Sequence, residues 1–146
     1  QKKVVNQSSG FKEAMGQKIE ITGTELEEAI SGAALFTETN LDYSTIELVG
    51  KTEVDDEAAY EIKVSDSKSL FYSIETGLKL KEVTTQEVEG NSMITENFYN
   101  NYEEVEGILF PMSINLVTPS MPIPGGLFLN ATSIMLNVET SDSDFE

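Results

Sequence analysis

"NYEEVEGILFPMSINL", residues 101–116, decides how this chain folds. Ile108, Phe110, Met112, Ile114 and Leu116 are apolar and all even-numbered. Successive side chains of an extended backbone point to opposite sides, so this alternation predicts a strand with one oily face and one wet face. The acids and glycine ahead of it, Glu103, Glu104, Glu106 and Gly107, read as a tight turn. Pro111 falls on the wet side. It is expected at an edge or a bulge, where its missing N–H breaks no needed ladder bond. The question is what the oily face receives: core side chains, or a ligand or partner.

The same alternation recurs upstream. "TIELVGKTEV" is followed by the acidic tip "DDE", then by "AAYEIKVS", in which Tyr60, Ile62 and Val64 share a face. "SLFYSI", "LKLKEVTTQEV" and "SMITENFYNNY" continue the series, and "LFLNATSIMLNVE" closes it. Parity slips between Leu80 and Val83, which predicts a bulge or sharp bend. Short turns between consecutive strands mean an antiparallel meander, here of about seven strands. The first 45 residues differ. "TGTELEEAISGAALF" has Thr24 and Glu27 at capping-box spacing, and Leu26, Ala29, Ile30, Ala33 and Ala34 recur at helical intervals. "KIEIT" before it is a short strand, while "QKKVVNQSS" fits helix, strand or disorder. The expectation is a single α+β domain over 1–146: a helix-containing part, 1–45, and an antiparallel β meander, 46–146.

Composition narrows function. Nine lysines face 26 acids, for a net charge of −17. That surface repels phosphates and anionic headgroups, which excludes a basic nucleic-acid groove. His, Cys, Trp and Arg are all absent. The usual catalytic zinc site, the base for a serine nucleophile and the bidentate phosphate clamp are therefore closed to this chain. No enzymatic activity, catalytic residue, metal site or cofactor is expected. No apolar run approaches the roughly 20 residues that cross a bilayer as a helix. The chain does not start with Met, and no signal-peptide core precedes "QKKVV", so a mature or excised product is expected.

Motif-like stretches have ordinary readings. "GKT" at 50–52 lacks the earlier glycine and the following helix of a phosphate loop. "SDSK" at 65–68 has Ser-x-x-Lys spacing but lies in a strand-to-strand turn. Asp142, Asp144 and Glu146 lack calcium-loop spacing and read as a solvated tail. "NAT" at 130–132 matches a glycosylation acceptor but lies in a predicted strand. "VTPSMPIPGGLF" is the best candidate for a binding loop. Its prolines stiffen it, and Met121 and Ile123 are apolar where loops are normally polar; they either tuck under as a lid or meet a ligand or partner. With Phe128, Phe110, Met112 and Ile114, these two make the candidate contact surface, for a protein partner or for an apolar ligand such as a lipid acyl chain.

Four stretches together resemble periplasmic domains of the lipoprotein-carrier (LolA/LolB-like) fold, which in the Bacteroidota also occur at the C-terminal end of chains related to insulinase-type zinc peptidases. They are "IELVGKTEVDDEAAYEIKV", "FYSIETGLKLKE", "YEEVEGILFPMSI" and "IMLNVETSDSDFE", the last carrying Ile134, Asn137, Asp142 and Phe145. The resemblance covers about residues 46–146. It implies a strongly curved antiparallel half-barrel with helical segments across its concave face, which residues 19–36 would partly fill. It implies a periplasmic or envelope location and no catalysis. The expected role is a non-catalytic accessory domain, the C-terminal part of a peptidase-related protein, docking on a protein partner. The alternative is a stand-alone carrier of a lipid or lipoprotein acyl chain. The family's carriers hold their closed state with a cavity arginine, and this chain has none, which favours the accessory role.

With neither imidazole nor thiolate, the chain should bind no zinc tightly. Stoichiometric zinc retained through dialysis against a weak chelator would refute this.

Overall fold

The computed structural model describes all residues except 1, 7, 15, 33–35, 89, 120–122, 140 and 142–146. The described chain is mostly antiparallel β, with a seven-stranded sheet, a three-stranded sheet and one short helix. It divides into two compact units, Tyr43–Val138 and Gln1–Asp42 with Glu139–Glu146.

In the smaller unit, β1 (Lys2–Val5), β2 (Gly10–Ala14) and β3 (Gln17–Ile21) form a meander. Asn6 makes the first turn. Its Oδ1 accepts the backbone N–H groups of Ser8 and Ser9 at 2.9 and 2.8 Å, and its own N–H donates to the Ser9 carbonyl. An asparagine side chain that mimics a backbone turn in this way suits a hairpin tip. Helix α1 spans Thr24–Gly32. The Gly23 carbonyl accepts from both Leu26 and Glu27, so the helix is entered at Gly23 and Thr24 lies inside its first turn rather than at the expected cap. Ala33 and Ala34, expected on its stripe, lie outside the described residues. Leu26 packs over β2: a Cβ on Gly10 would lie 3.2 Å from Leu26 Cδ1 and 2.6 Å from Val5 Cγ1. Ile21 is the buried apolar anchor of this sheet.

The larger unit is one continuous meander, β10-β9-β8-β7-β6-β5-β4. Its strands are β4 (Glu47–Val54), β5 (Glu57–Ser65), β6 (Lys68–Ser73), β7 (Lys79–Val88), β8 (Asn91–Val105), β9 (Ile108–Val117) and β10 (Leu127–Asn130). The tip at Asp55–Asp56 is as expected, whereas the turn expected to include Glu103 and Glu104 narrows to Glu106–Gly107, because those two acids stay in β8 and pair with Phe110 and Leu109. Asp55 and Asp56 both take positive φ, 49° and 67°, as do Glu106 and Gly107, 51° and 84°. Two consecutive left-handed residues are what a two-residue hairpin turn requires if its twist is to match the strands. The parity slip in β7 is a bulge at Leu80: Phe71 pairs with Lys81, but Tyr72 pairs with Lys79.

Three expectations are corrected. Neither sheet is strongly curled or closed, so the half-barrel curvature is not found. Curl comes from twist and from closely placed bulges, and here the register shifts are scattered, one in each of the pairings β4–β5, β5–β6 and β6–β7. The last strand stops at Asn130 instead of running to Glu139, and Asn137 has φ 53°, which ends extended geometry. Pro111 is not on the outermost strand. Ala131 N–H donates to the Met112 carbonyl, so Met112 turns its polar groups toward β10 and Pro111 turns its own toward β8. The lost donor coincides with an irregular step in β8, where Asn101 has φ 55° and lacks a register partner between the Asn100–Ser113 and Tyr102–Pro111 pairs.

Register shows how the faces are built. One row crosses the sheet through Leu48, Ile62, Leu70, Glu82, Asn97, Leu116 and Leu127. It lies on the face that carries Phe110, Met112 and Ile114. The oily face is therefore apolar on both flanks and polar across β7 and β8. Leu70 is 1% exposed and Phe110 4% exposed, so both are core. Truncating either to Ala should cost about 3–5 kcal/mol, while Leu129→Ala, at an exposed position, should stay within about 0.5 kcal/mol. Urea melts of the three variants test this; an unchanged midpoint for Phe110→Ala would assign the alternation to the wrong face.

Candidate functional site

The site expected from sequence is partly dispersed. Phe110 is buried, and Met112 and Ile114 are half-buried on the same face of β9. Ile123 and Phe128 are exposed, at 46% and 58%. Phe128 pairs with Asn115, so it projects from the opposite face of the sheet to Phe110. Met121 lies outside the described residues. The five described residues thus divide into a group on one face of β9, Phe110, Met112 and Ile114, and two exposed side chains, Ile123 in the loop and Phe128 on the edge strand.

The exposed group belongs to a larger feature. From Gly107 to Val138, 32 residues pass without one charged side chain, in a chain that carries 35 charges. Of the fourteen large hydrophobic side chains exposed among the described residues, eight lie in this stretch, including Leu127, Phe128, Leu129 and Met135. Its described residues include β9, part of the proline loop, β10, which is the edge strand of the large sheet, and the segment after it. Sequence reading picked out the loop and the alternation but passed over Leu127, Leu129 and Met135. The signal that finds them is the absence of charge between Glu106 and Glu139.

Asn115 anchors the loop. Its Nδ2 donates to the Gly125 carbonyl at 3.1 Å, and its Oδ1 is buried with no partner among the described residues. Gly126 crosses directly over it, with φ 90° and the Ile123 carbonyl accepting its N–H at 3.0 Å. Beside the anchor, Ile94, Glu96, Val117, Thr118, Pro119 and Ile123, with the two glycines, line an open hollow of about 440 Å³. At the other end of β10, Asn101, Tyr102, Glu103, Met112, Asn130 and Ala131 line a second hollow, of about 480 Å³. Asn130 Oδ1 accepts a hydrogen bond from Ser113 Oγ at 2.8 Å, so the glycosylation-like "NAT" begins with a side chain engaged inside the sheet.

Charge is organised differently elsewhere. Lys81 is ion-paired with Glu96 and lies 5.5 and 5.0 Å from the rings of Phe71 and Phe98. Lys68 pairs with Glu82 at 3.1 Å, and Lys79 sits 4.6 Å from the Tyr99 ring. Lys51 lies over Tyr60, and Lys63 bonds Asp66 at 2.6 Å. All five lysines of the large sheet are thus engaged. The hydrogen bond from Lys63 holds the Asp66 carboxyl below its usual range and raises Lys63, and the Lys12 hydrogen bond lowers Glu25 in the same way. What the two carboxylates contribute is present at neutral pH and lost as acid protonates them. Among the described residues no group of three or more His, Cys, Asp or Glu could hold a metal ion, and no helix is long and apolar enough to cross a membrane.

Comparison of the chain with protein-family models, with curated proteins and with solved structures finds no match.

The loop anchor makes an ordered prediction. A Cβ on Gly126 would lie 2.6 Å from both Asn115 Oδ1 and the Leu116 carbonyl oxygen, whereas one on Gly125 meets nothing within 4 Å. Both glycines have positive φ, so each Ala substitution should cost about 1–2 kcal/mol in backbone strain. Gly126→Ala should cost a further 1–3 kcal/mol or so for the overlap. Equal melting midpoints for the two variants would show that Asn115 does not pin the loop.

Proposed function

We propose that this chain is a non-catalytic docking module whose contact surface is the uncharged edge built by residues 107–138. One observation carries the reading: in a chain of net charge −17, the exposed apolar side chains concentrate where charge is absent. Charged residues are depleted from the centres of protein interfaces because desolvating them is costly, and contiguous exposed apolar patches mark contact sites.

The large sheet supports docking over carriage. An acyl carrier needs a continuous apolar floor beneath an enclosed volume of some hundreds of Å³. Here the row across the sheet passes through Glu82 and Asn97, and the same face carries the Lys68–Glu82 ion pair. Such a pair interrupts an apolar floor at its middle.

The proposal extends to origin and location. Of the four stretches that resemble lipoprotein-carrier-like domains, the first three span the Asp55–Asp56 hairpin, the turn after β6 and the Glu106–Gly107 hairpin with β9, and the fourth lies partly outside the described residues. In this reading the chain is an envelope accessory domain of a peptidase-related protein. Its open sheet would be a shallow relative of the carriers' half-barrel, and its partner is a protein.

Titration with a fluorescent fatty-acid analogue separates the two roles. The docking reading expects no saturable binding, with or without the Ile123→Asp, Phe128→Asp pair of changes. Binding near micromolar affinity that the double change abolishes would install the carrier instead.

A further inference from the structure

We infer that the outer edge of β10 takes up an extended peptide segment by strand addition, and that this segment is apolar at alternate positions and basic at its N-terminal end. The inference rests on the docking reading above and names its occupant.

The backbone comes first. The Ala131 N–H to Met112 carbonyl bond of 2.8 Å fixes which residues of β10 face β9. Leu129 pairs with Ile114 and Leu127 with Leu116, so these leucines share the parity of Ala131 and turn their N–H and C=O groups toward β9. Phe128 and Asn130 turn theirs outward, to the side where no strand neighbours β10 among the described residues. A row of outward donors and acceptors is a template for one more strand.

The side chains make this edge unlike its opposite. β4, at the far edge, carries Glu47, Lys51 and Glu53 and a register shift between Leu48 and Gly50, the usual means of discouraging pairing. β10 carries no charge. Leu127 and Leu129 are 37% and 51% exposed on one face, and Phe128 is 58% exposed on the other. The hollow lined by Ile94, Glu96, Val117, Thr118, Pro119 and Ile123 ends at the two glycines just before β10, with Val117 on the Phe128 face. An added strand would therefore meet Leu127 and Leu129 on one face and Phe128 on the other.

The occupant follows from area and charge. A second copy is a poor fit. A four-residue strand buries far less than the roughly 800 Å² per partner of a stable pair. Two chains of −17 also repel each other. A basic partner is attracted instead, and the attraction has a direction. β10 runs toward the corner where Glu103 lines a hollow with Asn130 and Ala131, and where Glu104 near the end of β8 and Glu106 in the adjoining turn are exposed. A segment antiparallel to β10 begins at that corner, so its N-terminal end is where cations pair best.

The probe is a synthetic twelve-residue peptide, three lysines followed by alternating valine and threonine, beside versions with the lysines moved to the C-terminus or replaced by glutamate. The N-terminal lysine peptide should bind at low salt at least tenfold more tightly than either version and weaken as salt rises. Its binding should slow hydrogen exchange at the Phe128 and Asn130 amides. Phe128→Ala keeps the outward N–H and Phe128→Pro removes it, so the proline variant should bind at least tenfold more weakly than the alanine variant. The peptide N-methylated at one alternate set of residues should lose binding while the other set tolerates it, and this arm leaves the protein unchanged. If the peptide binds but both N-methylated sets bind alike and exchange is unaltered, strand addition is wrong and the docking reading survives. If the peptide does not bind and the chain instead associates with phosphatidylcholine vesicles through Phe128, both readings fall. A Phe128-dependent dimer without peptide would replace the partner with a second copy.

Discussion

The large sheet depends on parity. Side chains alternate with a period of two, so each strand must enter its hairpin on a phase that puts Leu70 and Phe110 inside; a one-residue slip would expose both. Two-residue tips at Asp55–Asp56 and Glu106–Gly107 hold that phase because both residues of each pair accept a left-handed backbone. Register shifts near Val49, Val64 and Leu80 absorb the local mismatches. The result is one row of opposed residues that runs from Leu48 to Leu127 without losing its face. All seven strands take their orientation from it.

That dependence explains what could be read beforehand. Strands β4 to β9 were legible because alternation and turn chemistry agree in each, down to the bulge at Leu80. β1 and β2 were not, since four or five residues such as "KKVV" and "GFKEA" hold too few alternations to distinguish strand from helix. "LFLNATSIMLNVE" misled in the other direction. Its apolar residues continue to alternate past Asn130, but pairing, which no single segment encodes, has already ended. Curvature was illegible for a related reason: it accumulates from twist over many strands, whereas alternation reports only which face a residue takes. The candidate site was half legible. Alternation ranked Phe110, Met112 and Ile114 with the loop residues, yet the same parity that buries Phe110 sends Phe128 to the other face. The edge became visible only by noticing which residue types were missing.

Lysine placement is the complement of that absence. Each lysine of the large sheet is held by a carboxylate or has its ammonium near an aromatic ring. Lys81 does both, between Phe71, Phe98 and Glu96. Surface ion pairs of this kind stabilise little by themselves. Their consequence is distributive: the cations of the sheet are committed within it, so the excess acids set the field outside, and that field is negative.

A negative field and an uncharged sheet edge are two parts of one arrangement. An exposed apolar edge invites copies of the same chain to pair, and most proteins prevent this with local charges, bulges or prolines on the edge strand, as β4 does here. β10 has none of these. Its protection acts at a distance, through the mutual repulsion of chains that each carry −17. Local protection would block every partner alike. Protection by net charge discriminates: it disfavours another acidic chain and favours a basic one, and it leaves the contact residues themselves free of charges to desolvate. An edge kept apolar under those conditions is selective by sign without a single charged side chain of its own.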